Sequence, residues 1–364
     1  MYRTIKISEI ANLKYGKMPD KKKVSDDGYP IFTGYKVSGY YPEYNIEENT
    51  LVVVARGVGG TGDVKYVEEK SYLTNLSISL ELKDDEANKK YLYYLLNQSN
   101  LRILDSGSAQ SQITIRDLSD FILTLPSLNY QNSVANILSS LDDKIENNNA
   151  IIANLEEQAQ TIFKSWFLDS ELFQDEDFEN KKLGDLFQFI KGKKPKATSD
   201  SYEEAYVPYL VKKYIDGNEE IFASVDDGML IDDLDVFMLM DGANSGNIYY
   251  GYHGILGSTF SLLKNDNEMV NEYIYWYLLI NQESVKNQNT GSAIPHANKD
   301  YINNLEVILP IDMDTNRVLK TLRDIRLYTI NLRRESNKLT ATRDTLLPKL
   351  MSGEIQVGEA IEVE

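Results

Sequence analysis

The 364-residue chain contains no cysteine and only two histidines, His253 and His296. The first absence excludes disulfides, thiolate zinc sites and cysteine nucleophiles. The second leaves too few imidazoles for a histidine-built metal centre, so no metal or other cofactor is expected. No apolar run approaches the roughly 20 residues that span a bilayer. The N-terminal MYRTIKISEI lacks the apolar core of a secretory signal. A cytoplasmic protein with no membrane partner is the expectation. Positive charge is also scarce: 38 Lys+Arg stand against 56 Asp+Glu, a formal charge of -18. That balance argues against a protein that coats nucleic acid indiscriminately. The deficit is uneven, however. Residues 1–125 hold 16 basic and 17 acidic side chains, whereas residues 181–310 hold 11 and 19.

What is present is a duplication. Tyr91-Leu-Tyr-Tyr-Leu-Leu-Asn-Gln98 aligns with Tyr275-Trp-Tyr-Leu-Leu-Ile-Asn-Gln282 at an offset of 184. The same offset takes Gly107-Ser108-Ala109 to Gly291-Ser292-Ala293 and Leu125-Pro126 to Leu309-Pro310. With small gaps, Ile7-Ser-Glu-Ile10 matches Leu183-Gly-Asp-Leu186, and Gly16-Lys17 with Pro19 matches Gly192-Lys193 with Pro195. Two copies are too few for a solenoid and imply two similar domains. Each copy opens with short strand-like runs such as Pro30–Thr33, Thr50–Ala55 and Leu76–Leu80. A short aromatic helix follows at Asn88–Asn97, then a polar loop, a strand ending in Leu-Pro, and a long helical stretch.

The long stretches carry the strongest periodicity. Val134, Leu138, Leu141, Ile145, Asn148, Ile152, Leu155, Ala159, Ile162 and Trp166 alternate spacings of four and three, a heptad seam. Adding 184 gives Val318, Leu322, Ile325, Thr329, Leu332, Ser336, Leu339, Arg343, Leu346 and Leu350 in the same register. Each seam would run about 50 Å as a helix. Asn148, Thr329 and Ser336 are polar interruptions that cost stability and fix register. Arg343 either snorkels or meets an acidic partner. Helices of matched length, one after each globule, are expected to pair antiparallel and act as a ruler. The fold class is therefore mixed α/β (α+β): two similar domains separated by two long antiparallel coiled-coil helices, with an internal pseudo-two-fold repeat. The expected divisions are 1–128, 129–170, 171–312 and 313–364.

Ile137-Leu-Ser-Ser-Leu-Asp-Asp-Lys-Ile145 through Phe163-Lys-Ser-Trp-Phe167 resembles the central conserved region of type I restriction–modification specificity subunits. Leu346-Leu-Pro-Lys-Leu-Met-Ser-Gly-Glu-Ile355 resembles their C-terminal conserved region. The likeness extends over almost the whole chain through domain order, duplication and length. It implies two target-recognition domains, each reading half of a split double-stranded DNA sequence. It also implies spacer helices that dock two methyltransferase subunits, with a restriction (motor–nuclease) subunit joining for cleavage. The acidity of the chain departs from that pattern.

Catalytic readings find little support. Gly57-Val-Gly-Gly-Thr-Gly62 formally fits GxGxxG, but Asp63-Val-Lys-Tyr-Val67 follows as another strand, where a dinucleotide site needs a helix. Pro19-Asp20 with Glu68-Glu69-Lys70 imitates a PD…ExK nuclease, yet the second copy has no equivalent carboxylate set. An amine-directed DNA methyltransferase would resemble proteins carrying a (D/N)-P-P-aromatic loop, and no Pro-Pro occurs here. The chain is thus expected to be a non-catalytic subunit. Two competing readings are an acidic DNA mimic that inhibits restriction enzymes and, less favoured, a metal-dependent nuclease.

Base readout uses Arg or Lys against guanine and Asn or Gln against adenine, with basic groups on phosphate. Loops on a rigid scaffold suit that task. The first-copy candidates are Lys17, Lys21, Lys22, Lys23, Tyr35, Lys36, Arg56 with Gly57, Ser108, Gln110 and Gln112. Those of the second copy are Lys191, Lys193, Lys194, Lys212, Lys213, Asn244, Asn247 and the segment Thr290–Asn298, including Ser292, His296 and Asn298. Gly57, Gly59 and Gly60 would let the backbone approach a duplex closely. Asp241 stands where Arg56 falls in the first copy, so the halves are expected to prefer different sequences. His296 is expected to be a hydrogen-bonding loop histidine. The clusters Tyr91–Tyr94 and Tyr273–Tyr277 are expected in the core.

Overall fold

A computed structural model describes residues 2–57, 60–83, 87–105, 111–169, 178–291 and 293–357. The chain divides into two compact units, 1–146 with 337–364 and 147–336.

In the first unit, β1 (Arg3–Lys6) leads through α1 (Ile7–Ile10) into β2 (Ala11–Tyr15), β3 (Tyr29–Phe32), β4 (Val37–Tyr41) and β5 (Thr50–Val54). Then come β6 (Val64–Val67), β7 (Tyr72–Leu73), β8 (Ser77–Leu82), α2 (Lys89–Gln98), α3 (Ile115–Ser119) and β9 (Ile122–Leu125). The main sheet has the order β2-β8-β5-β6, antiparallel throughout. A second sheet has the order β4-β3-β7, with β3 and β7 parallel. β1 and β9 form a separate antiparallel pair. The Leu-Val-Val-Val run of β5 is buried on both faces, as an inner strand with no polar alternation should be. Helix α2 starts where the Asn88 side chain accepts a hydrogen bond from the Tyr91 N–H at 2.9 Å, a local N-cap. Its Tyr91, Leu92, Tyr94 and Leu96 are buried against the sheet.

The second unit repeats this plan. After the 40-residue helix α4 (Leu128–Phe167) come β10 (Phe178–Lys182), β11 (Gln188–Lys191), β12 (Tyr206–Leu210), α5 (Lys212–Ile215), β13 (Phe222–Ser224) and β14 (Leu230–Ile231). They are followed by β15 (Phe237–Leu239), β16 (Ile248–Tyr249), β17 (Gly254–Leu256), β18 (Phe260–Lys264), α6 (Glu268–Ile280), α7 (Gln282–Asn287), α8 (Lys299–Asn303), β19 (Glu306–Pro310) and α9 (Arg317–Ser352). The sheet β11-β18-β15-β16 has the order of β2-β8-β5-β6, and β10 pairs with β19 as β1 does with β9. In the other sheet, of order β13-β12-β17-β14, β12 runs antiparallel to β13 and parallel to β17, matching β3 with β4 and β7, and β14 adds an edge strand with no counterpart among the described residues of the first unit. Helix α6 is apolar around most of its circumference, and Tyr273, Tyr275, Trp276 and Tyr277 are all buried, so it forms the middle of this unit's core.

Within each unit, segments of α4 and α9 lie antiparallel. In the first, the Tyr130 hydroxyl donates to the Leu350 carbonyl at 2.9 Å, and Arg343 Nη1 lies 2.7 Å from Asp142 Oδ1. In the second, Asn148 Nδ2 donates to Glu335 Oε2 at 2.8 Å, and Glu156 pairs with Arg333. Residue numbers rise on one helix as they fall on the other. The α9 heptad positions are all buried or half-buried, including Thr329 and Ser336, and Arg343 meets an acidic partner. The α4 seam departs from expectation at its end. Trp166 is 46% exposed, while Ala159, Phe163 and Phe167 are buried. Phe163 and Phe167 pack at steep angles against Tyr273, with ring centroids 5.1 and 5.5 Å away. There the helix leaves its partner helix for a globular core, so the buried stripe turns away from the 3.5-residue repeat.

Candidate nucleic-acid interface

The loops that close the main sheet are built alike in both units. In the first, the glycine turn between β5 and β6 meets the segment before α3. The Ile113 N–H donates to the Ala55 carbonyl at 2.9 Å, and Arg56 forms an isolated antiparallel bridge with Gln112. In the second, the Ala297 N–H donates to the Met240 carbonyl at 2.9 Å, and Asp241 bridges His296 in the same way. The helices that follow are capped at equivalent positions. Thr114 caps α3, accepting from Asp117 N–H, and Asn298 caps α8, accepting from Tyr301 N–H at 3.0 Å. The strand leading into each site behaves identically too. Lys17 N–H donates to the Leu73 carbonyl, and Lys193 N–H to the Leu256 carbonyl.

Several first-unit candidates converge here. The Arg56 guanidinium lies 5.7 Å from the Tyr15 ring centroid, a cation–π contact. Its Nε makes no hydrogen bond, and no described carboxylate pairs with it. Tyr35, 45% exposed, lays its ring on the glycine turn: a Cβ at Gly60 would come within 2.2 Å of that ring, and one at Gly57 within 3.0 Å of its hydroxyl. The glycines thus make room for an aromatic ring of the same unit. Burial, with Asp63 nearby, pushes the Tyr35 phenol up. Gln112 is half-buried, its N–H donating to Asp105 Oδ1 at 2.8 Å. Lys21, Lys22 and Lys23 lie apart from this edge, on the turn that ends at the Ser25–Tyr40 bridge beside β4. Lys23 lies 3.7 Å from Glu43, a weak exposed pair.

In the second unit, His296 Nδ1 is 2.8 Å from Asp241 Oδ1, and a pair of backbone hydrogen bonds ties His296 to Thr290. Asn289 Nδ2 donates to Ser245 Oγ at 2.8 Å, which fastens the two loops together. Asn244 is exposed at the turn, whereas Asn247 is half-buried and donates to the Tyr249 hydroxyl at 3.1 Å. Lys212 and Lys213 begin α5 and are occupied by carboxylates, Asp216 and Glu219 respectively. Among the described residues no carboxylate pairs with Lys17, Lys21, Lys22, Lys36, Lys191, Lys193 or Lys194, all exposed. Ser108, Gln110 and Ser292 lie outside the described residues.

A cleft of 620 Å³ in the first unit is bounded by Lys65, Lys90 and Arg343 on one hand and by Asp142, Asp143 and Glu146 on the other. Its mixed sign does not suit a phosphate channel. Among the described residues no group of three or more His, Asp or Glu is placed to hold a metal. Lys70 of the nuclease-like pattern is engaged by Glu47 at 3.2 Å and by the Tyr44 ring. No described helix is long and apolar enough to cross a membrane.

The profile described as "Type I restriction modification DNA specificity domain" matches residues 2–157 and again residues 175–341. The chain belongs to the type I restriction–modification specificity family. The specificity subunit of type I restriction enzyme MjaVIII, from Methanocaldococcus jannaschii, is 30% identical over 180 residues, covering 49% of this chain and 42% of that protein. This match thus spans less than half of that relative's length. The MjaIX specificity subunit of the same organism is 26% identical over 322 residues, 79% of this chain and 73% of its own. The crystal structure of a type I restriction–modification S subunit from M. genitalium superposes with a TM-score of 0.72 at 23% identity, covering 96% of each chain. This likeness supports the fold. Specificity subunits recognise DNA and are not themselves enzymes, which removes the ground for the nuclease and DNA-mimic readings.

Two features of the edge have no signal in the sequence of this specificity subunit. Asp241 aligns with Arg56 in the repeat, but nothing along the chain marks it as the partner of His296, 55 residues away. Tyr15 carried no signal beyond its place just before Gly16-Lys17.

Proposed function

We propose that this specificity subunit reads a bipartite double-stranded DNA target, one half through each unit. In this reading the paired α4 and α9 segments dock two methyltransferase subunits and, for cleavage, a restriction subunit. The observation that carries it is the repetition of one loop-built edge in both units, each bordered by exposed lysines that no described carboxylate neutralises. Unpaired cations beside polar side chains on a rigid scaffold are what phosphate positioning and base readout require. The acidity of the second half limits affinity of the chain alone and makes methyltransferase partners the expected source of additional phosphate contacts. The test is protection of DNA by the chain assembled with its methyltransferase partner. One split sequence should be protected, and exchanging residues 1–125 for those of a relative should change only one half-site. A change in both halves, or protection without sequence preference, would refute the proposal.

A further inference from the structure

The edge bridges of the two units hold side chains of opposite hydrogen-bonding character at equivalent positions. Arg56 and Gln112 offer N–H donors: a guanidinium with no described carboxylate partner, and a side-chain amide. Asp241 and His296 do the reverse. The carboxylate has no proton to give, and in a neutral imidazole whose Nδ1–H donates to Asp241 Oδ1 the far nitrogen Nε2 is an acceptor. The pair is open to solvent, with side chains 33% and 50% exposed. A Cβ built at the neighbouring Gly242 meets nothing within 4 Å, so no described residue fills the space beside Asp241. A carboxylate repels phosphate, so a duplex edge approaching this pair meets it favourably only through a donor. In the major groove that donor is the exocyclic amine of cytosine or adenine, whereas guanine presents the acceptors N7 and O6.

We infer that Arg56/Gln112 and Asp241/His296 are the equivalent base-selecting pairs of the two units. The first selects an acceptor edge, guanine foremost, and the second an amine-bearing edge. This rests on the reading of the chain as a two-part DNA reader. It adds Asp241 as a specificity residue, and it makes the halves of the target chemically complementary at the positions these pairs address. Because the supporting bridges are made by main-chain atoms, exchanging the side chains leaves the scaffold in place.

The test is selection from randomised duplexes by the full chain assembled with its methyltransferase partner, with the bound fraction sequenced. Asp241→Arg combined with His296→Gln should turn an amine-bearing position of one half-site into guanine and leave the other half unchanged. The single variant Asp241→Asn, which keeps size and adds a donor, should lower discrimination at that position about tenfold or more. It also serves if the double variant does not assemble. Arg56→Asp with Gln112→His should act on the opposite half. Unchanged consensus sequences in these variants, or changes in both halves at once, overturn the assignment of the pairs while leaving two-part reading intact. A wild-type complex that selects no split sequence overturns both.

Discussion

Positions 142 and 326 occupy the same place in the repeat, and the two units treat them in opposite ways. In the first unit the position is Asp142, about one-third exposed, held by Arg343 at 2.7 Å and by the Tyr94 hydroxyl at 2.5 Å. In the second it is Arg326, with no exposed surface, 2.7 Å from an equally buried Glu272. The Nη1 and Nη2 of Arg326 make no hydrogen bond, and its guanidinium lies 5.2 Å from the Tyr250 ring and 5.7 Å from that of Tyr275. Burial raises the pKa of the Glu272 carboxyl despite the attraction of Arg326. The duplication has therefore kept its apolar stripe and its strand order while the charges that lock helix to globule have diverged. A buried pair depends on both partners, because removing one strands the other in a medium that cannot solvate it. A half-exposed pair falls back on water.

That contrast sets the order of the expected effects. Arg326→Leu should destabilise the second unit by about 3–5 kcal/mol, measured by urea unfolding. Adding Glu272→Met should recover most of the loss. Asp142→Ala should cost only about 1–2 kcal/mol, since water reaches the groups it leaves. Equal costs at the two positions would break the comparison.

Asn148→Leu should sharpen it in the other direction. Asn148 is fully buried and its Oδ1 has no hydrogen-bond partner, while Glu335, which accepts from its Nδ2, is exposed and water takes over that bond, so an apolar side chain of similar size should stabilise the seam by about 1 kcal/mol. A rise in Tm would show this, with some loss of helix register as the counterpart.

Smallest near neutrality is the contribution of the buried phenols. Burial raises the pKa values of Tyr91 and Tyr94 in the first unit and of Tyr273 in the second above the ordinary 10.0. Below that value folded and unfolded chains are both protonated, and nothing is lost. Above it the unfolded chain ionises while these groups stay neutral in the fold, so stability falls as pH rises. An ultraviolet titration should show phenols that ionise only as the protein unfolds.

Much of this was legible in the sequence because it is local or periodic. The offset of 184, the heptads and the Leu-Val-Val-Val strand appear where the pattern places them. Capping roles for Thr114 and Asn298 follow the same local rule. What could not be read is who faces whom across long separations. Nothing along the chain indicates that Tyr35 lies on the glycine turn at Gly57 and Gly60, so close backbone approach to DNA was the natural reading of those glycines. Trp166 kept the heptad phase in sequence, but the stripe turned toward Tyr273 once a globular core replaced the partner helix. The lysine runs look alike as letters. Only the fold shows Lys212 and Lys213 engaged with acids and Lys193 without a described carboxylate partner.

The bonds from Ile113 to Ala55 and from Ala297 to Met240 pass through peptide groups alone. They therefore place no demand on what the adjoining residues carry beyond their backbones. A lineage is free to exchange Arg56, Gln112, Asp241 or His296 through single mutations without first relaxing the architecture beneath. Novelty at these four sites comes at little structural risk, and the duplication lets one half be revised while its sibling continues unaltered.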